Sequence, residues 1–208
     1  MSMQVVAAMP VNTEYAVWNA STNEEYFPDH SANLIIVGNT RDSINWQNVI
    51  NSIEQKPGLM LPNLQWTNPH FLKILEMYNH IDYLKSSMQW INYYCDDYGE
   101  HVNTEFGNFV KKPNYVKAWI SRINPGYTAP WHWDIDDNEA EYLKHGDIIR
   151  FSCRINMNSA GQVAIVGDHA IHGGPVGDVY QWPDHRMWHG SVNTGLEPKY
   201  QFNYLAYK

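Results

Sequence analysis

Apolar and polar residues alternate in short segments from about residue 113 to the end of the chain. Such alternation, with turn residues between the segments, predicts β-strands that each have one apolar face. The predicted strands lie in NYVKAWISRI, DIIRFSCRINM, GQVAIVG, GDVYQW, HGSVNT and KYQFNYLAY. Six or more strands at this spacing are typical of an antiparallel β-sandwich or barrel.

The first half of the chain has a helical pattern instead. Its main apolar stripe follows the N-cap pair Asn68-Pro69 and stops at Gly99. The stripe consists of Phe71, Ile74, Leu75, Tyr78, Ile81, Leu84, Met88 and Ile91. A shorter helix is predicted over residues 42–54, and ANLIIVG is predicted as a strand. We therefore expect one α+β, mainly β domain over 1–208, in which 1–112 form a helical and mixed buttress and 113–208 form the core.

Two of the predicted strands have a polar face that carries cations. In DIIRFSCRINM, one face has Ile149, Phe151, Cys153, Ile155 and Met157, and the other has Arg150, Ser152, Arg154 and Asn156. In KYQFNY, the apolar Tyr200, Phe202 and Tyr204 oppose Lys199, Gln201 and Asn203. These polar faces either meet solvent or line the inside of a barrel whose apolar outside is covered by helices. In the second case the arginines need anionic partners, because an unpaired buried charge is strongly unfavourable.

Composition narrows the class of protein. The chain of 208 residues is 44% hydrophobic and 17% charged, which is typical of a globular domain. Its net charge of −8 offers no basic face for duplex nucleic acid. Cys95 and Cys153 are too few for a disulfide framework or a cysteine zinc site. The N-terminus does not resemble a signal peptide and no apolar run reaches membrane-spanning length, so a cytoplasmic protein is expected.

The segment YTAPWHWDIDDNE, residues 127–139, contains the candidate metal ligands His132 and Asp134. Residues i and i+2 of a strand project to the same side, so both can reach one ion. A facial iron site needs two imidazoles and one carboxylate, so a second histidine must come from a distant strand. His145, His169, His172, His185 and His189 are the candidates. His189 is the best placed because it opens a predicted strand, whereas His185 is predicted to face solvent from a turn and His169 and His172 to lie in a loop.

Four sequence elements follow one another between residues 124 and 201. They are a Pro-Gly turn, His132-x-Asp134, the distal His189 before an Asn-x-Gly-like turn, and Lys199 ten residues later. This order resembles the Fe(II)/2-oxoglutarate-dependent dioxygenases, especially small prolyl-hydroxylase-like or aspartyl/asparaginyl-hydroxylase-like members. The resemblance implies a double-stranded β-helix, a jelly-roll or cupin-like barrel, with N-terminal helices packed against it.

The resemblance also implies roles for individual residues. His132, Asp134 and His189 would bind Fe(II), with 2-oxoglutarate and O2 in the remaining positions, and Lys199 would pair with the 5-carboxylate of 2-oxoglutarate. The enzyme would hydroxylate an amino-acid or peptide/protein side chain and release succinate and CO2.

Two residues depart from the common family pattern. Lys199 replaces the commoner arginine, and Gln201 stands where a small hydroxyl residue often assists. Arg150 or Arg154 could therefore bind the cosubstrate carboxylate in place of Lys199. Asn156 and Tyr127 are further candidates for cosubstrate contact. 

Three other functions stay open at this point. The first is nucleobase demethylation on the same fold, which the acidic composition disfavours. The second is a cupin-like metal-binding protein without oxygen chemistry, which would usually show a tighter His-x-His cluster and a nearby Glu. The third is a non-catalytic β-sandwich interaction module with His132 and Asp134 on its surface. We expect a small-molecule or peptide/protein substrate and no membrane, with the oligomeric state open.

Overall fold

In the part of the chain described here, a computed structural model has two antiparallel sheets, a small separate hairpin and three helices. The structure describes residues 5–6, 17–19, 24–26, 32–61, 90–132, 148–156, 162–166, 169–172, 175–193 and 195–208. The helices in this part of the chain are α1 (Trp46–Ile53), α2 (Cys95–Tyr98) and α3 (Glu100–Phe109).

The strands of the N-terminal half are β1 (Val5–Val6), β2 (Val17–Asn19), β3 (Glu24–Tyr26), β4 (Ile35–Asn39), β5 (Leu59–Leu61) and β6 (Trp90–Tyr93). Those of the C-terminal half are β7 (Tyr115–Ile123), β8 (Thr128–His132), β9 (Ile148–Arg154), β10 (Gln162–Val166), β11 (His169–His172), β12 (Asp178–Trp182), β13 (His189–Asn193) and β14 (Lys199–Tyr207). Each of the six strands predicted from the alternating pattern is present.

The strand order is that of two facing sheets between which the chain repeatedly crosses. The larger sheet has the order β4-β12-β9-β14-β7-β6-β5, and the smaller sheet has the order β1-β11-β10-β13-β8. From β7 onward the chain enters the larger sheet at β7, β9, β12 and β14 and the smaller sheet at β8, β10, β11 and β13. This alternation fits a jelly roll and confirms the predicted two-sheet β architecture.

The outer face of the larger sheet carries the main apolar core, and the helices cover it. Phe202 of β14 is fully buried there. Its ring lies 4.8 Å from that of Phe106 on α3 and 5.5 Å from that of Trp46 on α1, centroid to centroid. Phe151 and Cys153 of β9 belong to the same cluster. The apolar faces recognised in the sequence are therefore the ones that pack against helices.

Helix α1 confirms the prediction of a helix within residues 42–54. It begins after Asn45, whose side chain accepts a hydrogen bond from the backbone N–H of Asn48 at 3.1 Å. Its buried residues recur with helical spacing and face the core: Trp46, Val49, Ile50 and Ile53. No helix in the described parts of the chain is long and apolar enough to cross a membrane.

The prediction that the long helix continues through residues 90–93 is wrong. Residues Trp90–Tyr93, including Ile91, form β6 and pair with both β5 and β7. Ladder hydrogen bonds to two neighbours outweigh the local helical stripe, since tertiary context overrides propensity. The chain becomes helical again only in α2, which ends at Gly99 with φ 98°. The rest of the predicted helix, residues 69–89, lies outside the described residues.

Replacing Phe202 with alanine should lower the free energy of unfolding by about 3–5 kcal/mol, because the change empties a fully buried site between two helices. Chemical denaturation followed by circular dichroism measures this. Leu196→Ala is the matched control, since Leu196 is 92% exposed and its loss should change stability little. Equal effects of the two substitutions would contradict the assignment of the core.

Candidate active site

The inner face of the larger sheet is polar and buried. Arg154 of β9 pairs with Gln201 of β14, and Ser152 pairs with Asn203, so these residues share one face. Arg150 and Lys199 are each 2% exposed, and Arg154 is 8% exposed. The cationic faces predicted for β9 and β14 therefore line the interior and do not meet solvent.

Arg150 is held by aromatic rings. Its guanidinium lies 3.8 Å from the ring centroid of Trp182 and 5.5 Å from that of Trp119. Its Nη2 also donates a hydrogen bond to Oδ1 of Asn203 at 3.2 Å. Cation–π attraction in a desolvated site compensates part of the free-energy cost of burying this charge.

Lys199 reaches from the larger sheet to the smaller one. Its Nζ is hydrogen-bonded to Oγ of Ser191 on β13, and both residues are buried. Burial, together with the positive charge of Arg154, holds the pKa of Lys199 well below its ordinary value. Burial also lowers the pKa of Arg154, to about 10, although Tyr180 and Asp178 partly offset the effect.

His189 opens β13 and has a fixed ring orientation. Its Nδ1 lies 2.9 Å from the backbone oxygen of Met187. A carbonyl oxygen only accepts, so Nδ1 carries the proton and a neutral ring presents Nε2 as the metal-binding nitrogen. The ring also meets that of Trp182 edge to face, with centroids 5.0 Å apart and an interplanar angle of 85°.

His132 is the last residue of β8 and the direct cross-strand partner of His189. Directly opposite residues of an antiparallel pair share one face of the sheet. The two histidines, far apart in the sequence, thus occupy neighbouring positions on β8 and β13. Asp134, two positions beyond the end of β8, lies outside the described residues. The part of the chain that is described contains no group of three or more potential metal ligands.

The other predicted cosubstrate contacts are engaged within the protein. Asn156 donates to the backbone oxygen of Pro198 at 2.7 Å and accepts from the N–H of Tyr200 at 2.9 Å, which ties β9 to the start of β14. Gln201 donates to Oδ1 of Asn203 at 3.0 Å. Tyr127 is half-buried in the turn before β8, and its backbone oxygen accepts from the N–H of Asn193 at 3.1 Å.

The structure places two of the remaining candidate histidines in a strand and one in a turn. His169 and His172 are the two ends of β11, so the predicted loop is wrong; pairing with β10 and β1 makes this segment a strand. The prediction that His185 faces solvent is also wrong, because its side chain is only 14% exposed. Its Nδ1 lies 3.7 Å from Oδ1 of Asp184. His145 lies outside the described residues.

Ser191 and Trp182 are the site residues that sequence reasoning missed. A signal for Ser191 existed, because it lies two positions after His189 in a strand and therefore on the same face. Trp182 pairs with Arg150 across β12 and β9, and its Nε1 donates to Oγ of Ser152 at 2.8 Å. No pattern in a single sequence reveals that pairing.

Comparisons with known proteins give only distant structural likenesses. No protein-family model matches the chain, and no curated protein matches it significantly. A prolyl hydroxylase from Trichoplax adhaerens, solved with a peptide fragment of the hypoxia inducible factor oxygen degradation domain, is 12% identical over 81% of this chain and 90% of that one, with a TM-score of 0.40.

A cupin domain from Bordetella pertussis is 14% identical over 46% of this chain and 83% of that one, with a TM-score of 0.32. A sugar phosphate isomerase of the cupin superfamily from Silicibacter pomeroyi is 14% identical over 49% of this chain, with a TM-score of 0.31. This chain spans only 56% of the isomerase. Scores this low establish neither a family nor a function, and the evidence for a jelly roll is the strand order itself.

Replacing Lys199 with methionine should raise the free energy of unfolding near neutral pH by about 1–3 kcal/mol, because a buried amine is exchanged for an apolar side chain of similar length. In the folded protein the pKa of Lys199 is lowered, so between that value and 10.5 the unfolded chain binds more protons. Wild-type stability should therefore rise with pH in this window, and the advantage of the variant should shrink.

Urea denaturation at several pH values tests this expectation. Lys208→Met, at an exposed lysine, is the control and should change the free energy of unfolding little. A Lys199→Met variant that is less stable than wild type at every pH would contradict the assigned burial cost.

Proposed function

We propose that this protein is an Fe(II)- and 2-oxoglutarate-dependent oxygenase on a double-stranded β-helix, which hydroxylates an amino-acid or peptide/protein side chain. The observation that carries the proposal is the cross-strand pairing of His132 with His189 on the smaller sheet, which the buried Lys199 contacts through Ser191. The order of these residues in the sequence resembles that of the oxygenase family, and their spatial arrangement is compatible with it.

The residues at the paired positions fit a metal ion chemically. The Nδ1 contact of His189 with Met187 leaves Nε2 for a metal, and a second imidazole can come from the opposite position, His132. Asp134 would add the carboxylate of a facial ligand set, which leaves three positions open. Iron bound there together with 2-oxoglutarate and O2 would supply the oxidising power for hydroxylation of a C–H bond, with release of succinate and CO2.

The polar interior fits an anionic cosubstrate. One end of 2-oxoglutarate would lie at the metal, and the 5-carboxylate at the other end needs a cation. Among the described residues, Arg150, Arg154 and Lys199 are the buried cations, and the hydrogen bond of Lys199 within that set is to the hydroxyl of Ser191, which makes Lys199 the best partner. Arg150 is less suitable, since Trp182 and Asn203 already hold its guanidinium.

Arg154 lies close enough to Lys199 to lower its pKa and would strengthen the positive potential around the carboxylate. A carboxylate contact to a buried cation is stronger than the same contact in water, because the local dielectric constant is lower. The residues would thus hold the cosubstrate at its distal end while the histidines hold the metal.

The surroundings of His189 exclude water from one side of the proposed metal position. Trp182 is 2% exposed and packs with Val166 and Met187 in a small apolar cluster. The edge-to-face contact with Trp182 and the Met187 hydrogen bond together restrict rotation of the imidazole. Such support would keep the ligand nitrogen directed at the metal throughout turnover.

Fe(II) and 2-oxoglutarate added without oxygen should produce a weak visible charge-transfer band. His132→Ala and His189→Ala should abolish it, because each removes a metal ligand, and Asp134→Ala should weaken iron binding. His101→Ala is the control, since His101 is exposed on α3 and far along the chain from the site. The band is read by anaerobic absorption spectroscopy and activity by conversion of 2-oxoglutarate to succinate.

The outcomes separate the alternatives. Absence of both the band and any succinate would overturn the oxygenase proposal, and metal binding without them would favour a cupin-like protein with no oxygen chemistry. Unchanged iron affinity in Asp134→Ala would eliminate the three-residue ligand set. A salt-sensitive affinity for single-stranded DNA would favour a nucleobase substrate instead.

A further inference from the structure

The guanidinium of Arg150 lies directly against the indole of Trp182 on the inner face of the larger sheet. The two residues are cross-strand partners on β9 and β12, and each is only 2% exposed. The guanidinium carbon is 3.8 Å from the centroid of the indole ring, well within the range of a cation–π contact. Arg150 therefore restrains the position of this ring.

The same indole contacts the smaller sheet at the candidate metal ligand. The imidazole of His189 meets it edge to face, with the ring centroids 5.0 Å apart. Met187, whose backbone oxygen accepts the hydrogen bond from Nδ1 of His189, belongs to the apolar cluster that contains Trp182. Trp182 thus reaches across the gap between the sheets to the groups that set the orientation of the imidazole.

Contacts within the larger sheet hold both Arg150 and Trp182 in place. Nε1 of Trp182 donates to Oγ of Ser152 at 2.8 Å, and Nη2 of Arg150 donates to Oδ1 of Asn203 at 3.2 Å. The ring centroid of Trp119 is 5.5 Å from the guanidinium carbon. Side chains whose rotamers are fixed by several such contacts can keep a neighbouring ligand in one orientation.

We propose that Arg150 is a positioning residue of the metal centre, because its guanidinium fixes the indole of Trp182 and the indole fixes the imidazole of His189. This inference rests on the proposed function, which makes His189 a metal ligand. It gives Arg150 a role different from the cosubstrate contact suggested by the sequence. Loss of a residue that supports a metal ligand typically weakens metal binding by about 10- to 100-fold.

The direction of the change in metal affinity distinguishes this role from two others. A buried positive charge repels a divalent cation, so by charge alone the loss of Arg150 would strengthen metal binding. As a positioning residue, its loss weakens binding, because the released indole no longer restrains the imidazole. A residue that binds only the cosubstrate would change the affinity for 2-oxoglutarate and leave the affinity for the metal alone unchanged.

Titration of the metal-free protein with Co(II), without 2-oxoglutarate, tests the inference. Visible absorption of the bound ion gives the affinity, and circular dichroism verifies that each variant is folded. Arg150→Met should bind Co(II) about tenfold more weakly than wild type, and Arg150→Lys, which keeps a cation at the indole, should regain most of the affinity.

Arg122→Met is the matched control. The guanidinium carbon of Arg122 is 5.7 Å from the ring of Tyr200, its cross-strand partner, and Tyr200 belongs to the main core on the outer face of the same sheet. This substitution removes a contact of the same kind away from the proposed metal position. It should therefore leave the Co(II) affinity unchanged.

A double variant tests whether Arg150 acts through Trp182. Trp182→Leu should weaken Co(II) binding at least as much as Arg150→Met, since it removes the ring that contacts His189. Combining the two substitutions should weaken binding no further than Trp182→Leu alone, because both interrupt one set of contacts.

Unchanged or stronger Co(II) binding by Arg150→Met, or additive effects in the double variant, would overturn the inference. If Arg150→Met does not fold, Trp182→Leu with wild-type Co(II) affinity would overturn it instead. Co(II) binding by wild type with neither the charge-transfer band nor succinate formation would overturn the proposed function, and weaker binding by Arg150→Met would still support the positioning role. Absence of any Co(II) binding by wild type would overturn both.

Discussion

Burial of three cationic side chains on one face of the larger sheet is the constraint around which the rest of this structure is arranged. Charge in a protein interior is unfavourable unless specific partners compensate for lost hydration. Arg150 has the rings of Trp182 and Trp119, whereas Lys199 has the hydroxyl of Ser191 and a lowered pKa. Cation–π contacts thus stabilise one cation, and the lowered pKa of the other reflects the free-energy cost of burying its charge.

The opposite face of the same sheet makes this interior possible. Alternation along β14 directs Phe202 and Tyr204 towards the helices, where they form a continuous aromatic core with Phe106. The outer face buries apolar side chains against the helices, and this burial stabilises the sheet. The inner face can therefore carry polar residues, which an apolar core would exclude. The smaller sheet then closes over that inner face through contacts such as Trp182 with His189. Stability and the candidate site therefore lie on two sides of one sheet.

Prediction from sequence succeeded where the pattern is local. Strand boundaries followed the alternation of apolar and polar residues, and His189 opens a strand as expected. It failed at β6, where Ile91 continues a helical stripe yet pairs with two strands, and at β11, whose pairing partners are distant. Those errors share a cause, since ladder hydrogen bonds depend on which strand arrives next to the segment and not on the segment itself.

The amino-acid sequence by itself determined which residues share a face, because side chains of a strand alternate with a period of two whatever surrounds them. The alternation puts Arg150 and Arg154 on one face of β9 and Phe151 on the other. Only the tertiary structure decided which face is interior, since that depends on what covers each side. It also decided that Lys199 meets Ser191, because two sheets must close on each other before their side chains can touch.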